Sequence, residues 1–355
     1  KKRIQGRKND GTLRKLSHFN STIDFFSNDY LGLSKGSTNE ILDSKGSTGS
    51  RLLSGNSNVA EDCESQLALF YESESALIFN SGYDANIGLI SSIALRGDTI
   101  LYDEYIHASS RDGIRLSFAN SISFKHNNTE DLNEKLYKAK GSVYVLVESL
   151  YSMDGDMAPL SSIHQVCKEK GAYLIVDEAH AFGIVGKYGK GLSYKFNDQI
   201  QLVSGTFGKS FGSGGAFLAC DKVICEKIIQ TSGAFRYTTA LSPSLAAGAL
   251  VSLKKIKDNK NWGSELLFFS KKWKKEIMKV TNYLVKGDCH IILIIIGSED
   301  ETLSMQKYLE KNGFLAVAIR PPTVPIGQSR IRITIRKTLN NDILKNFIGI
   351  LKSYK

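Results

Sequence analysis

The chain has 355 residues, 42% of them apolar and 23% charged, enough for one large α/β domain with a smaller companion and too apolar for a disordered chain. Its longest aliphatic run, IILIII (291–296), is too short to span a bilayer, and its opening, KKRIQGRKND, shows no apolar targeting segment. A cytoplasmic protein with no membrane partner is therefore expected, and the missing initiating Met suggests trimming at the front. The five cysteines, Cys63, Cys167, Cys220, Cys225 and Cys289, are scattered and contain no C-x-x-C pair, which disfavours a disulfide framework or a thiolate metal site. The formal charge of +10 admits a nucleic-acid partner, an anionic small molecule or a lysine-rich surface. Its one dense cluster, KKWKKE (271–276), reads as an exposed helix face.

In chain order, residues 1–35 form a leading piece that ends in SNDYLGLS (27–34), where Asn-Asp and Gly suggest a turn. A helix is predicted over AEDCESQLALFY (60–71). Short apolar runs follow at ALIFN (76–80), DTILYD (98–103), SISF (121–124), VYVLVE (143–148), AYLIVD (172–177), QLVSG (201–205) and GAFLAC (215–220). Runs this short and rich in Val and Ile suit strands buried on both faces. Helical segments separate them, among them LSSIHQVCKEKG (160–171), which Gly171 should stop. Alternation of this kind implies a mostly parallel seven-stranded sheet covered on both sides, assigned to a large domain over 36–250. Beyond that lie lysine-rich helical stretches around 251–281 and 300–312, the run 291–296, and RPPTVPIGQSRIRITI (320–335). The last ends in alternation that puts Ile331, Ile333 and Ile335 on one strand face and Arg330, Arg332 and Thr334 on the other. This tail, 251–355, reads as a small α+β domain.

Ligands of open α/β sheets collect at the carboxyl ends of the strands. AYLIVD runs into DEAH (177–180), QLVSG into TFGKSFGSGG (206–215), and VYVLVE into SLYSMDGD (149–156), so one crevice would present Asp177, His180, Lys209 and Ser152. A lysine amine, a carboxylate, an imidazole and glycine-rich hydroxyl loops together suit an electron-sink cofactor that carries a phosphate. GTFGKS nearly matches a nucleotide-binding P-loop, but Val203 stands where its first glycine must be, and the following FGSGGAFLAC reads as a loop and strand where a P-loop requires a helix. The same mismatch counts against reading DEAH as a Walker-B pair or a helicase box.

Assembled in order, GSTGSRLLSGN (46–56), FNSGYDAN (79–86), DEYIHASSRDGIRLS (103–117), ESLYSMDGDMAPL (148–160), VDEAHAFGIVG (176–186) and SGTFGKSFGSGG (204–215) resemble the α-oxoamine synthases. These are fold-type I, aspartate aminotransferase-like enzymes that use pyridoxal 5'-phosphate (PLP). The resemblance implies that Lys209 is the Schiff-base lysine and proton carrier, Asp177 the pyridinium partner, His180 the partner of the ring hydroxyl, and His107 the imidazole stacked on the ring. It implies that Gly82, Tyr83, Ser152 and Thr206 are among the cofactor's polar contacts. Thr238 and Thr239 would reach the phosphate of the neighbouring subunit, placing the site at a homodimer interface. Asn28 and Arg332 would hold the substrate, Arg332 as a fork on the amino-acid carboxylate. RPPTVPIGQSRIR is most similar to the branch that joins L-alanine to a pimeloyl thioester, carried on coenzyme A or a carrier protein, in biotin synthesis. The neighbouring branches are glycine C-acetyltransferase, 5-aminolevulinate synthase and serine palmitoyltransferase. DCHIILIIIG (288–297) departs from the biotin branch, which commonly has a polar residue within that strand. The resemblance implies neither a metal nor a nucleic-acid partner.

Overall fold

The computed structural model describes residues 23–35, 45–196 and 202–354, so most of the leading segment and Gln201 lie outside the described residues. Strands are numbered in chain order: β1 (Ile23–Asp24), β2 (Ser75–Phe79), β3 (Thr99–Asp103), β4 (Asn120–Phe124), β5 (Val143–Glu148), β6 (Tyr173–Asp177), β7 (Leu202–Thr206), β8 (Ala216–Cys220), β9 (Leu284–Lys286), β10 (Ile291–Gly297), β11 (Phe314–Leu315), β12 (Val317–Ile319) and β13 (Ser329–Thr334). The seven predicted runs form one sheet in the order β2-β8-β7-β6-β5-β3-β4. Neighbours from β7 through to β4 pair in parallel, while β8 runs antiparallel to both β7 and β2.

Strand periodicity explains how the sheet is buried. Val145 and Val147 enter one core, which also holds Ala60 and Leu67 of the helix Asn58–Tyr71. Leu146, between them, points to the opposite core, which holds Ala85 and Leu89 of the helix Gly82–Ile93. Both faces are covered, so the runs need no polar alternation. Gly171 stops the helix Leu160–Lys170 as expected, with φ 64° and its N–H on Cys167 and Lys168 carbonyls.

The C-terminal part holds a four-stranded antiparallel sheet, β12-β13-β10-β9, and the leading segment is tied to it where β1 pairs in parallel with β11. The first lysine-rich stretch is two helices, Pro243–Asp258 and Trp262–Met278. KKWKKE is not uniformly exposed: Trp273 is fully buried against Phe25 and Phe347, with ring centroids 5.7 and 5.6 Å away, while the flanking Lys271, Lys272 and Lys275 face solvent. The alternation of β13 is also misleading about exposure. All its residues are buried, including Arg330 and Arg332, because its charged face packs on the large domain instead of facing water.

One polar clamp fixes a loop that matters below. His126, just after β4, bonds Asp103 through Nδ1 (2.9 Å) and Asp156 through Nε2 (2.9 Å), with Tyr105 stacked on its ring and Tyr151 edge-on. The clamp ties the end of β3 to the loop 149–157. Burial opposes the imidazolium, but the two carboxylates outweigh it and raise the His126 pKa to about 10. Between the unfolded value near 6.5 and that figure, the folded protein binds a proton the unfolded chain does not. His126 therefore adds stability in full below pH ~6.5 and loses it as pH rises through about 10. Urea unfolding of the protein and of His126→Gln should accordingly show a stability difference that is largest at pH 6 and shrinks steadily toward pH 10; a difference independent of pH would refute the clamp's charge.

Candidate active site

The sheet's register sets the site. Glu148, Asp177 and Ser204 sit side by side at the carboxyl ends of β5, β6 and β7. Above them lies a cavity of about 200 Å³ whose walls include Gly82, Tyr83, His107, Asp177, His180, Thr206 and Lys209. Seven of the residues singled out from sequence thus meet around one space.

Each is held by local structure. Asp177 accepts from the backbone N–H of Ala179 through Oδ1 and from Asn86 Nδ2 through Oδ2, both at 2.8 Å. Asn86 also donates to Ser109 Oγ (3.0 Å), which lies 2.7 Å from His107 Nδ1. His107 caps the helix Ala108–Ser117, its Nδ1 accepting the Ser109 N–H, so the neutral ring carries its proton on Nε2. Lys209 follows β7 on a turn pinned by Phe207 and Phe211, both fully buried, and closed by Gly212 N–H on the Lys209 carbonyl. Gly212 has φ 59°, and a Cβ there would meet the Ser34 nitrogen at 2.2 Å, so glycine is required for the turn to pass the SNDYLGLS segment. The chain then enters β8, a strand, which disposes of the P-loop alternative. Gly82 and Tyr83 open the helix Gly82–Ile93, whose first N–H groups have no partner within the helix.

Burial decides the charges. It lowers the Lys209 amine to about 8 despite the attraction of Asp177. It pushes Glu148 well above the carboxylate range, reinforced by Asp177 alongside, so Glu148 stays protonated. Burial also lowers both His107 and His180, and for His180 the cations Lys209 and Arg332 add to the effect. The cavity therefore sets the hydrogen-bonded Asp177 carboxyl beside two imidazoles and an amine whose pKa values are all lowered.

A second group joins it from the C-terminal part. Tyr30 Oη lies 2.7 Å from His180 Nδ1 and donates to Asn28 Oδ1 (3.1 Å), which also accepts from Arg332 Nη2 (3.1 Å). Arg332 Nε donates to the Ser152 carbonyl at 3.0 Å. Arg330, its equal in the sequence pattern, is committed to Asp154 at 2.6 Å, whereas no described carboxylate pairs with Arg332. Ser152 lines an adjoining cleft and not the first cavity. Thr238 and Thr239 do not reach their own chain's cavity; they bond Asn80 Nδ2, through the Thr238 hydroxyl (3.1 Å) and the Thr239 carbonyl (2.7 Å). Sequence reasoning missed Asn86, Ser109, Glu148 and Tyr30. All four stand within the motifs named above, and for Asn86 and Glu148 the signal was a polar residue at a buried helix or strand-end position.

A buried amine, a fixed carboxylate, two neutral imidazoles and a free helix N-terminus fit PLP group by group. Set at the carboxyl ends of this mostly parallel sheet, they define a fold-type I PLP-dependent transferase. The family model for aminotransferase class I and II matches residues 20–351. The 8-amino-7-oxononanoate synthase of Lysinibacillus sphaericus is 36% identical over 342 residues, 92% of this chain and 87% of that protein. Among solved structures, a serine palmitoyltransferase of S. paucimobilis with a bound PLP-myriocin aldimine superposes with TM-score 0.90 at 27% identity, covering 99% of this chain and 95% of that one. The 8-amino-7-oxononanoate synthase of Francisella tularensis gives TM-score 0.80 at 26% identity, covering 94% and 98%. The chain belongs to the α-oxoamine synthases, PLP-dependent acyltransferases.

Because the Lys209 amine must lose its proton before it can attack an aldehyde, the cofactor-free protein should take up PLP at a rate that climbs with pH and levels off above about 8. Stopped-flow absorbance would follow this; a rate still climbing through pH 10 would mean an ordinary lysine.

Proposed function

We propose that the protein condenses L-alanine with a pimeloyl thioester, on coenzyme A or a carrier protein, to give 8-amino-7-oxononanoate, CO₂ and the free thiol, as a step of biotin synthesis. The choice of branch is supported by relatives named 8-amino-7-oxononanoate synthase at 36% identity across 92% of the chain. The observation that carries the chemistry is the buried Arg332, without a carboxylate partner, beside the lysine cavity. The serine palmitoyltransferases superpose more closely than the Francisella enzyme, 0.90 against 0.80, but a fold common to the family discriminates poorly between its branches.

PLP, when bound, supplies an aldehyde that tethers amines and a ring that accepts the electron pair left by a breaking C–H or C–C bond. Lys209 anchors that aldehyde in the resting enzyme. Once free, its Nζ would be the base for the α-proton of alanine, for which an amine of pKa about 8 is well matched near neutral pH. Asp177, immobilised by Ala179 and Asn86, keeps the ring nitrogen protonated. His107 would cover the face of the bound ring, and His180, steadied by Tyr30, would hold its hydroxyl. The Gly82 and Tyr83 N–H groups and the Thr206 hydroxyl receive the phosphate, and Ser152 completes this set from the cleft side. Asn28 and Arg332 orient the alanine carboxylate, which leaves as CO₂ after the new C–C bond has formed. Thr238 and Thr239 serve the neighbouring subunit's phosphate in a cytoplasmic homodimer.

Two variants and one panel test this. Lys209→Ala should lower turnover by roughly 10²–10⁴-fold or more and abolish the borohydride-fixable visible absorbance; survival of that absorbance would refute Lys209 as the anchor. Asp177→Asn should still bind PLP but nearly stop exchange of the alanine α-proton with solvent deuterium, read by NMR, since an amide cannot hold the ring proton. Offering L-alanine, glycine and L-serine against pimeloyl, acetyl, succinyl and palmitoyl thioesters should release CO₂ best with alanine and pimeloyl; a clear preference for serine and palmitoyl would overturn the branch.

A further inference from the structure

The adjoining cleft, about 460 Å³, shares His107 and Glu148 with the lysine cavity, so the two spaces meet at these residues. Its walls away from that centre are largely apolar, with Ile106, Met153, Val324 and Pro325. The acids on the walls are occupied. Asp154 is paired with Arg330 (2.6 Å), Glu148 is kept protonated by burial, and the Glu104 carboxylate accepts the His126 backbone N–H (3.0 Å).

One cation remains. Arg111 lines the cleft and no described carboxylate pairs with it. Its guanidinium is nonetheless oriented: Nη2 donates to the Glu104 carbonyl, and Cζ lies 6.0 Å from the centre of the Tyr102 ring. It stands four residues beyond His107, in the first turn of the helix His107 caps, and both residues line the cleft. An apolar trough that begins at the reacting centre and ends at an unpaired guanidinium is complementary to a methylene chain ending in an anion.

We propose that this cleft is the subsite for an ω-carboxyacyl chain, and that Arg111 binds its terminal carboxylate and so selects dicarboxylic over simple fatty acyl donors. The inference rests on the pimeloyl reading and adds to it the residue that recognises the far end of the chain. A guanidinium–carboxylate contact is strong enough for about a tenfold discrimination.

The test is the ratio of kcat/KM for pimeloyl-CoA to that for heptanoyl-CoA, the analogue of equal length lacking the carboxylate. It would be measured for the holoenzyme and for Arg111→Gln and Arg111→Lys, with L-alanine binding by spectral titration as the check on folding. The unmodified protein should favour pimeloyl about tenfold or more, Arg111→Gln should bring the ratio near unity chiefly through KM, and Arg111→Lys should keep part of the preference. An unchanged ratio in Arg111→Gln, or an equal loss with both donors, would overturn the role of Arg111 and leave the pimeloyl reading standing. A ratio near unity in the unmodified protein would remove the pimeloyl reading and this proposal together.

Discussion

The site depends on where a single negative charge is kept. Parallel pairing of β5 and β6 puts Glu148 and Asp177 abreast, and two ionised carboxylates cannot share so dry a place. Their hydrogen bonds and burial differ. Asp177 receives two, from Asn86 and from Ala179, whereas Glu148 is driven to its neutral acid by burial and by the neighbouring Asp177. From that asymmetry the other states follow. Lys209 gives up its proton easily because burial outweighs the attraction of Asp177. Desolvation lowers the pKa of both imidazoles, and His180 is also buried among cations. Protons near the ring can then move without first breaking a strong ion pair.

The second requirement is that two parts of the chain meet at this anion. Tyr30, Asn28 and Arg332 belong to the leading segment and β13, which the C-terminal part carries, yet they connect by short bonds to His180 and to the loop 149–157. That loop is fixed from its other side by His126 through Asp156 and by Arg330 through Asp154. The buried arginines of β13 divide the work. Arg330 has a carboxylate partner and fastens the parts together, while Arg332 is held by the Ser152 carbonyl, the Asn28 amide oxygen and the Tyr30 hydroxyl and pairs with no described carboxylate.

Much of this was legible in the sequence because the strands of a doubly covered sheet announce themselves as short apolar runs, and the residue after each run lies at the ligand edge. Asp177, His180 and Lys209 were found that way. His107, Gly82, Tyr83, Thr238, Thr239, Asn28 and Arg332 needed the family resemblance, since nothing in spacing alone brings residue 28 to residue 332. What escaped was of two kinds. Tyr30 reaches the site through His180, and Asn86 and Ser109 line it from helix positions that the strand-end rule does not cover. The alternation of β13 and the lysines of KKWKKE carry a real two-faced pattern, but pattern does not say whether the second face meets water or another part of the protein. For Arg330 and Arg332 it met the large domain.

The departure at DCHIILIIIG also has a physical reading. His290 is fully buried with neither ring nitrogen bonded, its pKa lowered to about 3 by burial and by Arg332 and Lys209 nearby. It packs edge-on against Tyr30 with centroids 4.1 Å apart, while Ile291, Ile292, Leu293 and Ile294 after it are fully buried. The strand supports the site by bulk, pressing Tyr30 toward His180 without adding a hydrogen bond. A polar residue within the strand would have to find a partner in a core that β9 and β13 already close on either side. The aliphatic run thus bears on how the pocket is held in shape, and none of its residues lines the cleft that shares His107 with the lysine cavity.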